Sequence, residues 1–123
     1  MTTTDLRDVA AAESFDADAD LVFGALSDAD RRFVLGRLVE RTGEVALAEI
    51  ATDLAAWQRD VDADEVGDAA VESEHAKLYH VHVPKLADAG LVSVEREDDA
   101  TAVSLAADAE TVREHADLSA VDA

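Results

Sequence analysis

Cysteine is absent from the 123 residues, which removes disulfides, thiolate metal sites and cysteine nucleophiles together. Long apolar runs are also missing. None is long enough to span a bilayer, and the polar, acidic stretch Met1 to Asp20 lacks the basic start and apolar core of a signal peptide. A cytoplasmic protein without membrane contact is expected. There is no Gly-rich phosphate loop, nucleophile elbow or Ser/His/Asp arrangement, and carboxylates scattered over an acidic surface ordinarily serve solvation rather than acid-base chemistry. The chain is therefore not expected to be an enzyme, and no small-molecule substrate is implied. Asp60, Asp62 and Asp64 have the spacing of a calcium loop, but Glu65 stands where glycine is needed and Val71 where glutamate is needed. Asp16, Asp18 and Asp20 fail in the same way, with Leu21 and Ser27 at those places.

Positive charge is scarce too. Lys and Arg number 10 against 29 Asp and Glu, giving a formal charge of -19. The acids are interleaved with apolar residues along the whole chain, and those apolar residues make up 49 % of it, so the composition is that of a folded, strongly hydrated domain rather than a disordered acidic tail. It resembles the salt-adapted cytoplasmic proteins of halophilic archaea, in which molar salt shortens the Debye length to about 3 Å and mutes self-repulsion. The length suits one domain with a modest core.

The periodicity divides the chain into an acidic arm at 1–17, a folded domain at 18–107 and a C-terminal helix or tail at 108–123. Within the domain, a first helix begins near Asp18 with an apolar stripe at Leu21, Val22, Ala25 and Leu26. Ser27-x-x-Asp30 reads as a box-like start for a second helix from Asp28 to Arg41, with Val34, Leu35 and Leu38 inward and Thr42-Gly43 as its stop. A short strand at Glu44 to Ala46 follows. Leu47, Ile50, Ala51 and Leu54 then give the clearest amphipathic helix, ended by Trp57, which is expected to pack. An acidic insertion at about 59–67 leads to Asp68, read as the N-cap of a long helix over 69–89. Its inner stripe is Val71, His75, Leu78, Tyr79, His82, Leu86 and Ala89, and Gly90 closes it. Pro84 removes an N–H and presses on the carbonyl of His80, at a cost of about 3 kcal/mol if nothing adjusts, so a kink is expected there. Leu91 to Arg96 and Thr101 to Ala106 alternate around Glu97-Asp98-Asp99-Ala100 as a hairpin. The last segment offers Val112, Ala116 and Leu118 on one helical face behind a cap at Asp108. The fold class is mainly α with a small β-hairpin, arranged as a winged helix-turn-helix in one domain.

The segment from Leu78 to Val92 carries the most specific signal. His82, Val83, Leu86, Ala89, Gly90, Leu91 and Val92 resemble the His-Leu-x-x-Leu-x-x-Ala-Gly-Leu-Val signature of ArsR-type transcriptional regulators. Ala25-Leu26-Ser27-Asp28 with Arg31 is similar to the Ala-Leu-Ser-Asp-Pro-x-Arg opening of the same family. Leu78-Tyr79-His80-Val81-His82-Val83-Pro84-Lys85-Leu86 looks most like a set of haloarchaeal winged-helix domains of unassigned function that carry Leu where this chain has Val83. The resemblance covers about residues 20–106. It implies a DNA-binding transcriptional regulator that reads the major groove with helix 69–89, forms a homodimer, as related regulators often do through their last helix, and needs no cofactor. The acidic insertion departs from the family pattern, since it lengthens the connection between the two helices of the motif.

On that helix the side opposite the apolar stripe presents Lys77, His80, Val81, Pro84 and Asp88, with Lys85 at its edge. Lys77 suits a phosphate or guanine, His80 a hydrogen-bond acceptor and Val81 a thymine methyl. Arg32, at the start of the second helix, and Arg96, ahead of the wing tip, are the other candidates for double-stranded DNA. The bland alternative for such a polar face is solvation. Arg31 is expected to pair with Asp28 and hold its helix start rather than meet DNA. His75, His80 and His82 invite a metal reading, but His75 and His82 lie two turns apart and His80 points elsewhere, so no metal is expected. His82 is read as a half-buried residue bonded to backbone, and His115 has no evident partner. Glu97, Asp98 and Asp99 would repel a phosphate near Arg96, and an acidic chain has few cations for counterion release. A winged-helix module that binds protein instead of DNA is the alternative.

Overall fold

The computed structural model describes residues 20–41, 43–98 and 100–106. The acidic arm, Asp18, Thr42, Asp99 and the segment after Ala106 lie outside these. Residues 20–26 are helical and form the described part of α1. It is followed by α2 (Ala29–Glu40), β1 (Val45–Ala46), α3 (Leu47–Arg59), a 3-10 turn (Ala63–Glu65), α4 (Asp68–Lys77), a π-helical turn (Leu78–His82), α5 (Val83–Asp88), β2 (Val92–Glu97) and β3 (Ala100–Leu105). This is a single, mainly helical domain with a winged helix-turn-helix arrangement: α3 packs on α4, and the β2–β3 hairpin follows α5 directly.

Local sequence accounts for most boundaries. The Asp28 carboxylate accepts from the backbone N–H of Asp30 at 2.8 Å and Arg31 at 3.3 Å, which caps α2. Ser27, expected to cap, instead donates its hydroxyl to the Gly24 carbonyl at 2.7 Å, because Asp28 already occupies the N-cap. Gly43 has φ +84°, a left-handed conformation that releases the chain into β1. Helix α4 starts one residue earlier than expected: Gly67 is the N-cap, and Asp68 sits in the first turn, where its charge meets the positive helix end. The insertion at 59–67 is ordered. Asp60 ends α3 at φ 55°, and in the following turn the Asp62 N–H donates to Glu65 Oε1 at 3.0 Å.

The end of α5 is a Schellman closure. Gly90 N–H donates to the Ala87 carbonyl at 2.9 Å and Leu91 N–H to the Leu86 carbonyl at 3.0 Å, with Gly90 at φ +77°. The chain can then reverse straight into β2. The sheet is larger than a hairpin: β1 joins it, in the antiparallel order β1-β3-β2. Val103 of β3 is flanked by Val45 and Val94 and is fully buried. The turn between β2 and β3 is tighter than expected, since Glu97 already pairs with Ala100, and Asp98 takes φ 53° there, a conformation aspartate tolerates better than most residues.

One core holds the domain, with Val34, Leu35 and Leu38 of α2, Leu47, Ile50 and Leu54 of α3, Leu78, Leu86 and Val103 all out of contact with water. In α1 the expected stripe is rotated: Ala25 and Leu26 are buried, whereas Leu21 is exposed. Trp57 packs its ring 4.8 Å from that of Phe33 but remains 39 % exposed.

Candidate nucleic-acid interface

The helix from α4 to α5 is the element on which the expected DNA contacts stand. Its interruption takes the form of a π-helical turn directly ahead of Pro84. The Val83 N–H bonds to the Leu78 carbonyl, five residues back, and Pro84 then enters the first turn of α5, where a missing N–H costs least. Widening the turn by one residue moves the carbonyl that an α-helical register would press against the pyrrolidine ring.

The extra residue also resets which side chains face inward. The buried positions are Glu74, Leu78, His82, Val83 and Leu86, whereas Val71, His75, Tyr79 and Ala89 are half-buried. One turn ahead of the π-helical turn Glu74, not His75, is the inward group, a correction to the expected stripe. Its carboxylate is met by Gln58 Nε2 at 3.4 Å, Lys77 Nζ at 3.7 Å and Arg59 Nη1 at 4.0 Å. One hydrogen bond and two nearby positive charges offset the cost of burying a charge. The i, i+3 spacing of Glu74 and Lys77 was the one signal of this cluster in the sequence.

The expected DNA-facing residues separate into several environments. His80 and Val81 are exposed, and Lys77 is exposed while leaning on Glu74. Pro84, expected on the same outer face, is half-buried and lines a cleft with Val83, Ala87, Val94 and Arg96 against β2. Lys85 is exposed but lies toward α1, in a cleft shared with Asp20, Leu21 and Asp88. Arg32 donates through Nη1 to the Leu26 carbonyl at 2.7 Å and so closes the end of α1. Arg96 is exposed on β2 and lies over the Tyr79 ring, 5.0 Å from its centroid. His80 and Arg96 are the two candidates brought together, in an open cleft of about 540 Å³ between α4 and the hairpin. Tyr79, which links them, was read from the sequence only as part of the inner stripe.

Arg31 and His82 form a buried polar centre that no local pattern announces. Arg31 Nε donates to the Ala25 carbonyl at 2.6 Å, Nη2 to the Gly24 carbonyl at 3.3 Å, and Nη1 lies 3.2 Å from His82 Nδ1. Arg31 is thus structural, as expected, but its side chain serves α1 and the π-helical turn rather than Asp28. His82 is bonded to a side chain, not to backbone as expected. Because a guanidinium only donates, Nδ1 must accept, which puts the ring proton on Nε2, 3.9 Å from Asp30 Oδ2. Donor atoms of Asp28, Asp30 and His82 come within 4.8 Å of one another, a clustering hidden by the distance along the chain. The chemistry suits Arg31 better than a cation, since a metal on Nε2 would force the proton onto Nδ1, against the Arg31 N–H.

The described cations of this acidic chain are largely engaged within it. Among the described residues Arg37 pairs with Glu40, Arg41 with Glu49, Arg59 and Lys77 with Glu74, while Arg31 and Arg32 serve carbonyls. The wing is acidic at Glu95, Glu97 and Asp98, all exposed. Among the described residues no helix is long and apolar enough to cross a membrane.

A family described as Domain of unknown function (DUF7344) matches residues 23–104, from within α1 to the end of the hairpin. No curated protein matches the chain.

Proposed function

We propose, for a chain that belongs to the DUF7344 family, a DNA-binding transcriptional regulator of ArsR-like winged-helix type, acting in the cytoplasm of a halophilic archaeon. It is not an enzyme and takes no cofactor. The helix from Asp68 to Asp88 enters the major groove of double-stranded DNA, and a homodimer places two such helices on a pseudo-palindromic site. One observation carries this reading: the exposed strip Lys77, His80 and Val81 stands on a helix braced by α3 on one side and by the hairpin on the other. His80 supplies a hydrogen bond and Val81 an apolar contact, while the exposed Lys77 ammonium reaches a phosphate or guanine and leaves the buried Glu74 carboxylate to Gln58 and Arg59. At molar salt the long-range repulsion between an acidic domain and DNA is screened, so short-range contacts decide binding.

A second reading is a winged-helix module that binds protein through the same surface. The engagement of most arginines inside the chain and the acidic wing favour it.

Genomic pull-down in molar KCl separates the two. Localised enrichment of DNA that disappears in Lys77→Ala and His80→Ala variants, each shown to melt as the parent does, supports the regulator. Absence of enrichment alongside a stably retained protein partner supports the module.

A further inference from the structure

The cleft between α4 and the hairpin contains one aromatic ring with a polar partner on each of two sides. The Arg96 guanidinium lies over the Tyr79 ring at 5.0 Å, and the His80 ring stands perpendicular to it with centroids 5.0 Å apart. Arg96 comes from β2 and His80 from the π-helical turn, so Tyr79 joins two elements that belong to different parts of the fold. Stacking engages the face of a guanidinium and leaves its N–H groups, which lie in the plane, free to donate. It also removes rotamer freedom that a long exposed side chain would otherwise lose only on binding. Arg96 is thus held beside the helix instead of projecting from the acidic wing tip. Glu72 and Asp98 line the same cleft, and their charges disfavour a diffuse polyanion contact, so an anion is accommodated only where Arg96 and His80 reach it directly.

We infer that Tyr79 is a positioning residue. Its ring sets Arg96 and His80 at the mouth of the same cleft, where both donate to one phosphodiester strand of a duplex lying across helix and hairpin. This rests on the DNA-binding reading above and assigns to Tyr79, through Arg96, the sequence-independent part of the affinity.

The test uses the full chain in molar KCl and a labelled random-sequence duplex, with Tyr79→Leu, Tyr79→Phe, Arg96→Ala and the Tyr79→Leu/Arg96→Ala double variant. Arg96→Ala and Tyr79→Leu should each weaken binding by about tenfold, the size of one charge-assisted contact. The double variant should be no weaker than either, because Tyr79 acts through Arg96. Tyr79→Phe, which keeps the ring, should bind as the parent does. Losses that multiply in the double variant, or parental binding by Tyr79→Leu, overturn the inference. Should Tyr79→Leu fail to fold, the parent protein suffices: the Arg96 side-chain N–H resonance should carry the ring-current shift of Tyr79 and move when duplex is added, and a resonance indifferent to duplex overturns the inference. Binding that responds to His80→Ala and Val81→Ala but not to Arg96→Ala would sink the positioning role alone. A parent protein that binds no random-sequence duplex would also overturn the inference, and only the further absence of localised genomic enrichment would sink the regulator reading with it.

Discussion

Arg31 and His82 are 51 residues apart in sequence and 3.2 Å apart in space, with the Arg31 guanidinium donating to Nδ1 of a buried imidazole. Through its other nitrogens Arg31 also binds the carbonyls of Gly24 and Ala25, so one side chain ties the end of α1, the start of α2 and the π-helical turn that carries the exposed His80 and Val81. The otherwise unpartnered Ala25 carbonyl at the helix end and a buried imidazole nitrogen are satisfied together.

Removing that donor should therefore be costly. Arg31→Leu leaves the Ala25 carbonyl and Nδ1 of His82 without a partner, and a loss of about 2–4 kcal/mol is expected from denaturant titration in molar KCl. His82→Asn places an amide oxygen near the position of Nδ1 and should lose less. An Arg31→Leu variant within about 0.5 kcal/mol of the parent would show that the buried centre contributes nothing to folding.

Gly90 is required by backbone geometry. Its φ of +77° lies where a Cβ is strained, although no neighbouring atom lies near enough to clash with one. Gly90→Ala should cost about 1–2 kcal/mol, and Gly90→Asn less, since asparagine visits this region more readily. Equal stability of the alanine variant and the parent would contradict the Schellman closure.

Burial pushes the Asp53 carboxyl above its ordinary value of 3.8; Arg37 and Arg41 oppose the rise and Glu49 adds to it. A carboxyl whose folded pKa is raised favours the fold when protonated. That contribution is complete below 3.8 and is lost as pH rises through the folded value. Asp53→Asn should consequently be more stable than the parent at neutral pH, and the difference should vanish in acid. Midpoints of unfolding measured across that range check the sign, and a variant less stable than the parent at neutral pH would reverse it.

With a formal charge of -19, the folded chain repels itself. Melting temperature should rise with KCl from about 0.1 M, where the Debye length is about 10 Å, toward molar salt, where it is about 3 Å. Duplex binding measured over the salt range that keeps the protein folded should stay level or increase. A steep loss of affinity of the ordinary counterion-release kind would mean that phosphate contacts dominate after all.

The order of elements was legible because each rests on local periodicity or punctuation. Leu47, Ile50, Ala51 and Leu54 marked α3, Gly90 marked the stop before β2, and a strand at Glu44 to Ala46 was visible ahead of its partner. The site was legible only as a set of names. The sequence placed Lys77, His80, Val81 and Lys85 on one helix, yet Lys85 turns toward α1, Pro84 lies against β2, and Arg32 is spent on a carbonyl.

By itself the sequence determined that this chain holds a single acidic, mainly helical domain with a hairpin after its long helix, since hydrophobic period, caps and glycine positions act over a few residues. Only the tertiary structure decided which cations remain at the surface, that Tyr79 bridges Arg96 and His80, and that His82 meets Arg31. Those outcomes depend on how elements dock, because a buried donor or charge must find its partner wherever packing brings one within reach, and the π-helical turn at Leu78–His82 rotates half a helix to allow it.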